Sequence, residues 1–202
     1  MSDILPFLKN LISVSGLSGD ETPAAELIKK QWTPLVDELS QSSLASVHGL
    51  KRGTLKKSLR PSVMIATHMD AIGMMVTRIV DGFLYITNIG GIDARVLPGT
   101  PVIVHASGTK EELYSVIIMP PANLLPDGEG SGVVSMKYLF VDTGLLAGEV
   151  SKRVRIGDRV SFGTEPIELT GGTLSGHTLD NRASVAALTI CLEELQSKSH
   201  LW

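Results

Sequence analysis

Two short stretches of this chain carry residue types that do chemistry together. Thr67-His68-Met69-Asp70 follows the apolar run Val63-Met64-Ile65-Ala66, and Leu179-Asp180-Asn181-Arg182 opens an amphipathic segment far downstream. A strand that ends in His-x-Asp offers an imidazole to a metal and a carboxylate to accept the imidazole's other N–H, which sets its tautomer and basicity. Residues two apart on an extended chain point to the same side, so the pairing is geometrically reasonable. An aspartate at a loop-to-helix junction has two oxygens and several lone pairs, enough to bridge two cations. His68 and Asp180 are therefore the candidate metal ligands, and Asp70 is the candidate catalytic residue that orients His68. Together they suggest half of a two-metal hydrolase site. Each residue also has a plainer role open to it. His68 reads equally as a core histidine hydrogen-bonded by Asp70, and Asp180 as the N-cap of the helix that follows. Capping and bridging can coexist in one carboxylate.

The remaining candidates are weaker. His105 ends a β segment and reads as structural; His177 follows Ser175-Gly176 and reads as a loop residue; His48 and His200 belong to no constellation. No Gly-x-Ser-x-Gly elbow appears, so Ser-His-Asp nucleophilic catalysis has no support. Cys191 is the only cysteine. It can form no intrachain disulfide, which points to a cytosolic, cytoplasmic setting, and its place in Leu188-Thr189-Ile190-Cys191-Leu192 predicts a buried, inert thiol. Pro126-Asp127-Gly128-Glu129-Gly130-Ser131-Gly132 lacks the Lys-Ser/Thr of a phosphate loop and reads as a flexible surface loop. The basic run Lys51–Arg60 has no interleaved aromatics and reads as a solvated loop rather than an anion-binding patch.

These residues must be positioned by a chain of 202 residues with 43% hydrophobic and 4% aromatic content and a net charge of −3. That length suits one large domain or two small ones. The charge gives no reason to expect a nucleic-acid partner. The N-terminus has no basic region followed by an apolar one, so no secretion signal is visible. No run approaches the roughly 18 apolar residues of a membrane span, so no membrane partner is expected.

Ile4, Leu8, Leu11 and Ile12 recur at helical spacing and stop at Ser15-Gly16-Leu17-Ser18-Gly19. A second helix should start near Thr22-Pro23, capped by Thr22, and end by Pro34. Residues 35–50 alternate weakly and suggest one or two strands. Ser62–Thr67 is apolar without alternation, the pattern of a strand covered on both faces in a parallel or mixed sheet, and such sheets place ligands at the carboxyl ends of their strands. From Gly73 onward short strands dominate. Met74–Val80, Asp81-Gly82 and Phe83–Thr87 read as a hairpin on a tight Asp-Gly turn. Further strands are expected around Val102–His105, Tyr114–Met119 and Arg159–Phe162, with Gly and Pro between them, which suggests a small barrel or sandwich. Helical periodicity returns after Asp180 through Val185, Leu188, Leu192 and Leu195, and His200-Leu201-Trp202 reads as the entry to another strand. The fold class is α/β, with 1–70 and 171–202 forming one part and an all-β insertion over 71–170.

The chain resembles the N-terminal part of the M42 family of metallo-aminopeptidases, the glutamyl and tetrahedral aminopeptidase group. The motifs that carry the resemblance are Ser15-Gly16-Leu17-Ser18-Gly19, Ala66-Thr67-His68-Met69-Asp70-Ala71-Ile72-Gly73, Ile89-Gly90-Gly91-Ile92-Asp93-Ala94-Arg95-Val96-Leu97-Pro98-Gly99, Pro120-Pro121, Leu139-Phe140-Val141-Asp142, Arg155-Ile156-Gly157-Asp158 and Thr178-Leu179-Asp180-Asn181-Arg182-Ala183. The resemblance implies a partial α/β/α peptidase domain interrupted by a β-barrel-like dimerisation domain. It implies two divalent metal ions, zinc or cobalt, peptide substrates trimmed from the N-terminus, and dimers that build a dodecamer. By motif, His68 ligates one metal, Asp70 orients it and Asp180 bridges both. The family's paired glutamates, one of them the general base, and a later Asp and His are expected beyond Trp202. Ala122-Asn123 also departs from the family, where His is common after the two prolines. With two ligands for one ion and one for the other, the chain alone is expected to bind metal weakly and hydrolyse little. Two other classes remain open: a non-catalytic assembly module, and a related metal-dependent carboxypeptidase or deacylase.

Overall fold

The structure is a computed structural model, which describes residues 3–54, 61–126, 128–129 and 132–202. Its contacts divide it into two compact units. One comprises Met1–Ala71 with Pro166–Trp202, the other Ile72–Glu165.

The first unit begins with α1 (Leu5–Ser13) and α2 (Thr22–Trp32). Each has a proline in its first turn, where the missing N–H leaves no bond unmade. β1 (Glu38–Gln41) and β2 (Val47–Leu50) form an antiparallel hairpin in the register Glu38↔Leu50 to Gln41↔Val47.

The second unit is built from the sequence's alternation. β3 (Gly73–Val80) and β4 (Phe83–Ile89) are joined by Asp81 and Gly82, both at positive φ (49° and 88°), the backbone a two-residue hairpin turn requires. β5 (Pro101–Ala106), β6 (Glu111–Ile118), β7 (Phe140–Asp142), α3 (Ala147–Arg153) and β8 (Arg159–Phe162) follow. The six strands close into an antiparallel barrel in the order β3-β4-β7-β6-β5-β8, with Met74 opposite Val160 at the closing seam. Closure removes the unpaired edges an open sheet would leave. The inward residues are those the two-residue period selects: Met74 and Val76 on β3, Leu84 and Ile86 on β4, Val102 and Val104 on β5. Burying each such side chain contributes roughly 1.5–3 kcal/mol, so the strands carry their own drive to close. α3 was not visible in the sequence. Seven residues are too few to show a period, yet Val150 and Val154 plug into the barrel core.

The chain re-enters the first unit through β9 (Ile167–Leu169) and β10 (Thr173–Ser175), a short hairpin turned at Gly172 (φ 74°). Then comes α4 (Leu179–Leu195). Leu11, Ala24, Ile28, Trp32, Val185 and Leu192 from α1, α2 and α4 share one core. The Trp32 indole Nε1 donates to Thr189 Oγ1 at 2.8 Å inside it.

Several expectations are corrected. Ser62–Thr67 forms no ladder among the described residues, and Met64 is 91% exposed. A strand exists only with a hydrogen-bonding neighbour, and the nearest bridge here is the parallel one between Leu17 and Ala71. Thr22 does not cap α2; the residue at the cap position is Glu21, whose side chain makes no capping bond. Cys191 is exposed rather than buried, because Val185, Thr189 and Leu192 hold the packed side of α4. Residues 200–202 form no ladder among the described residues; the His200 carbonyl instead accepts from Thr54 N at 3.0 Å. The expectation for the basic run falls partly outside the described residues, at 55–60, and that for the glycine-rich loop does so at 127, 130 and 131.

Candidate metal centre

The two chemistry-bearing stretches meet within the first unit. His68 Nε2 faces Asp180 Oδ1 at 3.1 Å, and His68 Nδ1 faces Asp70 Oδ1 at 3.1 Å. The imidazole thus stands between two carboxylates that are far apart in the chain. The second oxygen of Asp70 accepts a short hydrogen bond from the Ser18 hydroxyl.

Local backbone explains how these groups arrive. α1 ends at Val14, whose extended backbone (φ −76°, ψ 146°) turns the chain toward residues 15–19. That segment runs beside Ala71: Ala71 N donates to the Gly16 carbonyl at 2.8 Å, and Ser18 N to the Ala71 carbonyl at 3.3 Å. The pairing sets Ser18 behind Asp70. Sequence reading used Ser15–Gly19 as a helix breaker and missed this role, since a serine in a glycine-rich turn carries no distinguishing signal of its own.

On the other side, Asp180 precedes the regular part of α4. Its backbone (φ −89°, ψ 99°) and that of Asn181 (φ −126°, ψ 31°) are non-helical, and the peptide between them is cis. The capping role open to Asp180 in the sequence is not the one its carboxylate takes up. It reaches His68, while its side chain remains 95% exposed and accessible to further partners. His105 and His177 lie outside this group. His105 Nε2 pairs with Ser161 Oγ at 2.8 Å across the barrel strands, in keeping with a structural role.

A cleft of about 220 Å³ opens beside the pair, lined by Trp32, Ala45, Thr67, His68, Met69 and Asp70 among others. At about 30 Å³ per water it holds several waters or one small side chain.

The donor set suits a borderline-soft cation such as zinc or cobalt, which takes imidazole nitrogen and carboxylate oxygen. Ligands at about 2.0–2.2 Å from a tetrahedral ion lie roughly 3.4 Å from each other, close to the 3.1 Å between His68 Nε2 and Asp180 Oδ1. The shell is nonetheless incomplete. Among the described residues no group of three or more His, Cys, Asp or Glu is arranged to hold an ion, whereas zinc sites use about three or four protein ligands. No described helix is long and apolar enough to cross a membrane.

Comparison with known proteins brings the same stretches into a family context. The profile of the M42 glutamyl aminopeptidase family matches residues 47–201. A putative aminopeptidase of Acetivibrio thermocellus is 30% identical over 196 residues, covering 96% of this chain and 54% of that protein. Among solved structures, an aminopeptidase from the archaeon Desulfurococcus kamchatkensis superposes with a TM-score of 0.86 at 30% identity, covering 98% of this chain and 53% of that one. A TET peptidase of Pyrococcus horikoshii, described as assembling into a tetrahedron or a large octahedral shell, matches with a TM-score of 0.78 at 25% identity over 95% of this chain and 56% of its own. The chain therefore spans about half the length of the curated relatives it matches.

Proposed function

This chain belongs to the M42 glutamyl aminopeptidase family, and from that premise we propose that it supplies the His68–Asp70–Asp180 half of a two-metal aminopeptidase centre. His68 and Asp180 would hold one divalent cation, zinc or cobalt, and Asp180 would also contribute an oxygen to a second. Asp70 orients His68 from behind. The observation that carries this reading is the imidazole between two carboxylates. A neutral imidazole has a single N–H and cannot donate to both. With that proton on Nδ1 and given to Asp70, the Nε2 lone pair and the Asp180 oxygen face one another as two donors, and a cation shared between them satisfies both.

Bound there, divalent cations would supply Lewis-acid polarisation of the scissile carbonyl and a more acidic water. The chain's own residues do the positioning. Ser18 donates to one oxygen of Asp70 and leaves the other for His68. The imidazole is thereby kept in the tautomer whose Nε2 can ligate. The exposed carboxylate of Asp180 stays open to a second ion and to substrate. The general base is expected outside these residues, among the paired glutamates of the family.

In the whole protein the substrates are peptides, trimmed from the N-terminus. The residues 1–70 and 171–202 form its peptidase part, a partial α/β/α layer arrangement, and 71–170 its dimerisation part. The protein is a homo-oligomer with a dimer as its unit, able to build larger assemblies such as a dodecamer, a reading supported by the tetrahedral or octahedral assembly described for the Pyrococcus horikoshii peptidase. A cytoplasmic location is supported by the single cysteine.

Because the described residues bring only two direct ligands together, this chain by itself binds cobalt weakly and hydrolyses amino-acid amides slowly. Titrating the purified chain with Co2+ while recording its visible spectrum tests both points when paired with a chromogenic amino-acid amide assay. Weak, chelator-reversible binding that disappears in His68→Ala and Asp180→Ala is the expected result. Binding unchanged in both variants, or brisk chelator-sensitive turnover by the chain alone, refutes it.

A further inference from the structure

Arg182 is fully buried, with no exposed surface, although it lies two residues after Asp180 at the start of the regular part of α4. Among the described residues no carboxylate bonds its guanidinium, whose partners are backbone carbonyls. Nε donates to the Met69 carbonyl at 2.8 Å, and Nη1 donates to the carbonyls of Leu11 and Val14, the latter at 2.7 Å. Nη2 has no hydrogen-bond partner among the described residues. It lies against Gly16, where an added Cβ would sit 2.4 Å away. The Met69 carbonyl belongs to the residue between His68 and Asp70. One planar side chain therefore joins three backbone segments: the end of α1, the His68–Asp70 stretch and the helix that carries Asp180.

We propose that Arg182 is a positioning residue of the candidate metal centre, a fork that fixes the backbone between His68 and Asp70 against the start of α4 and so sets the spacing of His68 and Asp180. This rests on the metal-binding reading above, but the geometric half of it stands without any metal. The contacts distinguish the role from simple packing. A guanidinium presents five donors in a fixed fork, and replacing a buried charged group by apolar residues of similar volume is often neutral or stabilising, so packing alone gives no reason for an arginine here. One contact falls on the stretch that carries His68, two fall on the end of α1, and Arg182 itself stands in the stretch that carries Asp180, so the three acceptors require donors at fixed angles. Lysine, a compact charge on a flexible stem, cannot reproduce such a fork.

The test uses the 202-residue chain in three variants. Arg182→Lys keeps the charge and removes the fork. Gly16→Ala, at a glycine without positive φ, crowds Nη2 while leaving Arg182 in place. Thr189→Val is the control, since it removes a buried hydrogen bond on the same helix that involves neither ligand nor Arg182. In metal-free protein, long-range 1H–15N spectra report the tautomer and hydrogen bonding of the His68 ring. The expected result is that Arg182→Lys and Gly16→Ala both displace the His68 ring nitrogen signals and weaken Co2+ binding by about 10- to 100-fold, the range for groups that hold metal ligands from behind. Thr189→Val should lower stability and move neither readout. If Arg182→Lys does not fold, Gly16→Ala decides. The inference is overturned if the folded variants keep wild-type His68 signals, or if Thr189→Val moves them as far. If wild-type protein binds no Co2+ yet its His68 signals still shift in Arg182→Lys, the metal reading fails while the positioning role stands.

Discussion

Replacing Thr189 by valine should cost the first unit about 1–2 kcal/mol. Thr189 is fully buried and Trp32 nearly so, and Thr189 Oγ1 accepts from the indole Nε1 at 2.8 Å while donating to the Val185 carbonyl at 2.9 Å. Valine fills almost the same volume, so no cavity opens. The Val185 carbonyl keeps its helical backbone partner. The indole nitrogen is a donor only and is left inside the core with nothing to bond. Such an orphaned donor costs about 1–3 kcal/mol, and the greater apolarity of valine offsets part of this. Urea unfolding is the assay. Both tryptophans of the chain, Trp32 and Trp202, belong to the first unit, so their emission follows that unit without interference from the barrel. A double-mutant cycle isolates the bond. In a Trp32→Phe background the donor is already gone, so adding Thr189→Val should cost less than about 0.5 kcal/mol, leaving a coupling of roughly 1 kcal/mol. The reasoning is refuted if Thr189→Val alone costs under about 0.3 kcal/mol, or costs as much with phenylalanine at position 32.

Three other perturbations probe the barrel. Leu84 is fully buried in its core, so Leu84→Ala should destabilise the second unit by about 2–5 kcal/mol, seen in far-UV circular dichroism with the tryptophan emission transition unmoved. Gly82 has φ 88° and a position where a Cβ would meet the Ala147 backbone at 3.1 Å; Gly82→Ala should cost about 1 kcal/mol or more, and an unchanged urea midpoint would contradict this. Asp93 is held at about 2 by hydrogen bonds from the Arg95 side chain and backbone. A depressed carboxylate stabilises the fold at pH above its ordinary value of 3.8 and loses that contribution as pH falls toward 2. An NMR titration should place the Asp93 midpoint near 2, and Arg95→Gln should move it upward.

Patterns that depend on near neighbours in the chain could be read directly. The helices at Leu5–Ser13 and Thr22–Trp32, the Asp81-Gly82 hairpin and the strands at Pro101–Ala106 and Arg159–Phe162 follow from apolar period and turn chemistry. α3 and the β9–β10 hairpin were not legible, because a short element shows too few repeats for a period to emerge. Ser62–Thr67 has the composition of a buried strand and forms no ladder among the described residues. Cys191 sits in an apolar run yet faces outward, because the direction of a helix face is set by what packs against it.

For the candidate centre, residue types alone singled out His68, Asp70 and Asp180, since imidazole and carboxylate donors are recognisable wherever they stand. Their convergence was not contained in spacing. It comes from the first unit's fold, which brings residue 68 and residue 180 within hydrogen-bonding distance. Ser18 and Arg182 show the same division more sharply. One is a serine in a glycine turn and the other an arginine in an amphipathic helix, both ordinary in sequence. Each gains its role from backbone carbonyls or a carboxylate delivered by distant segments. Local covalent chemistry decides what a side chain can donate or accept, whereas long-range packing decides which partner it meets.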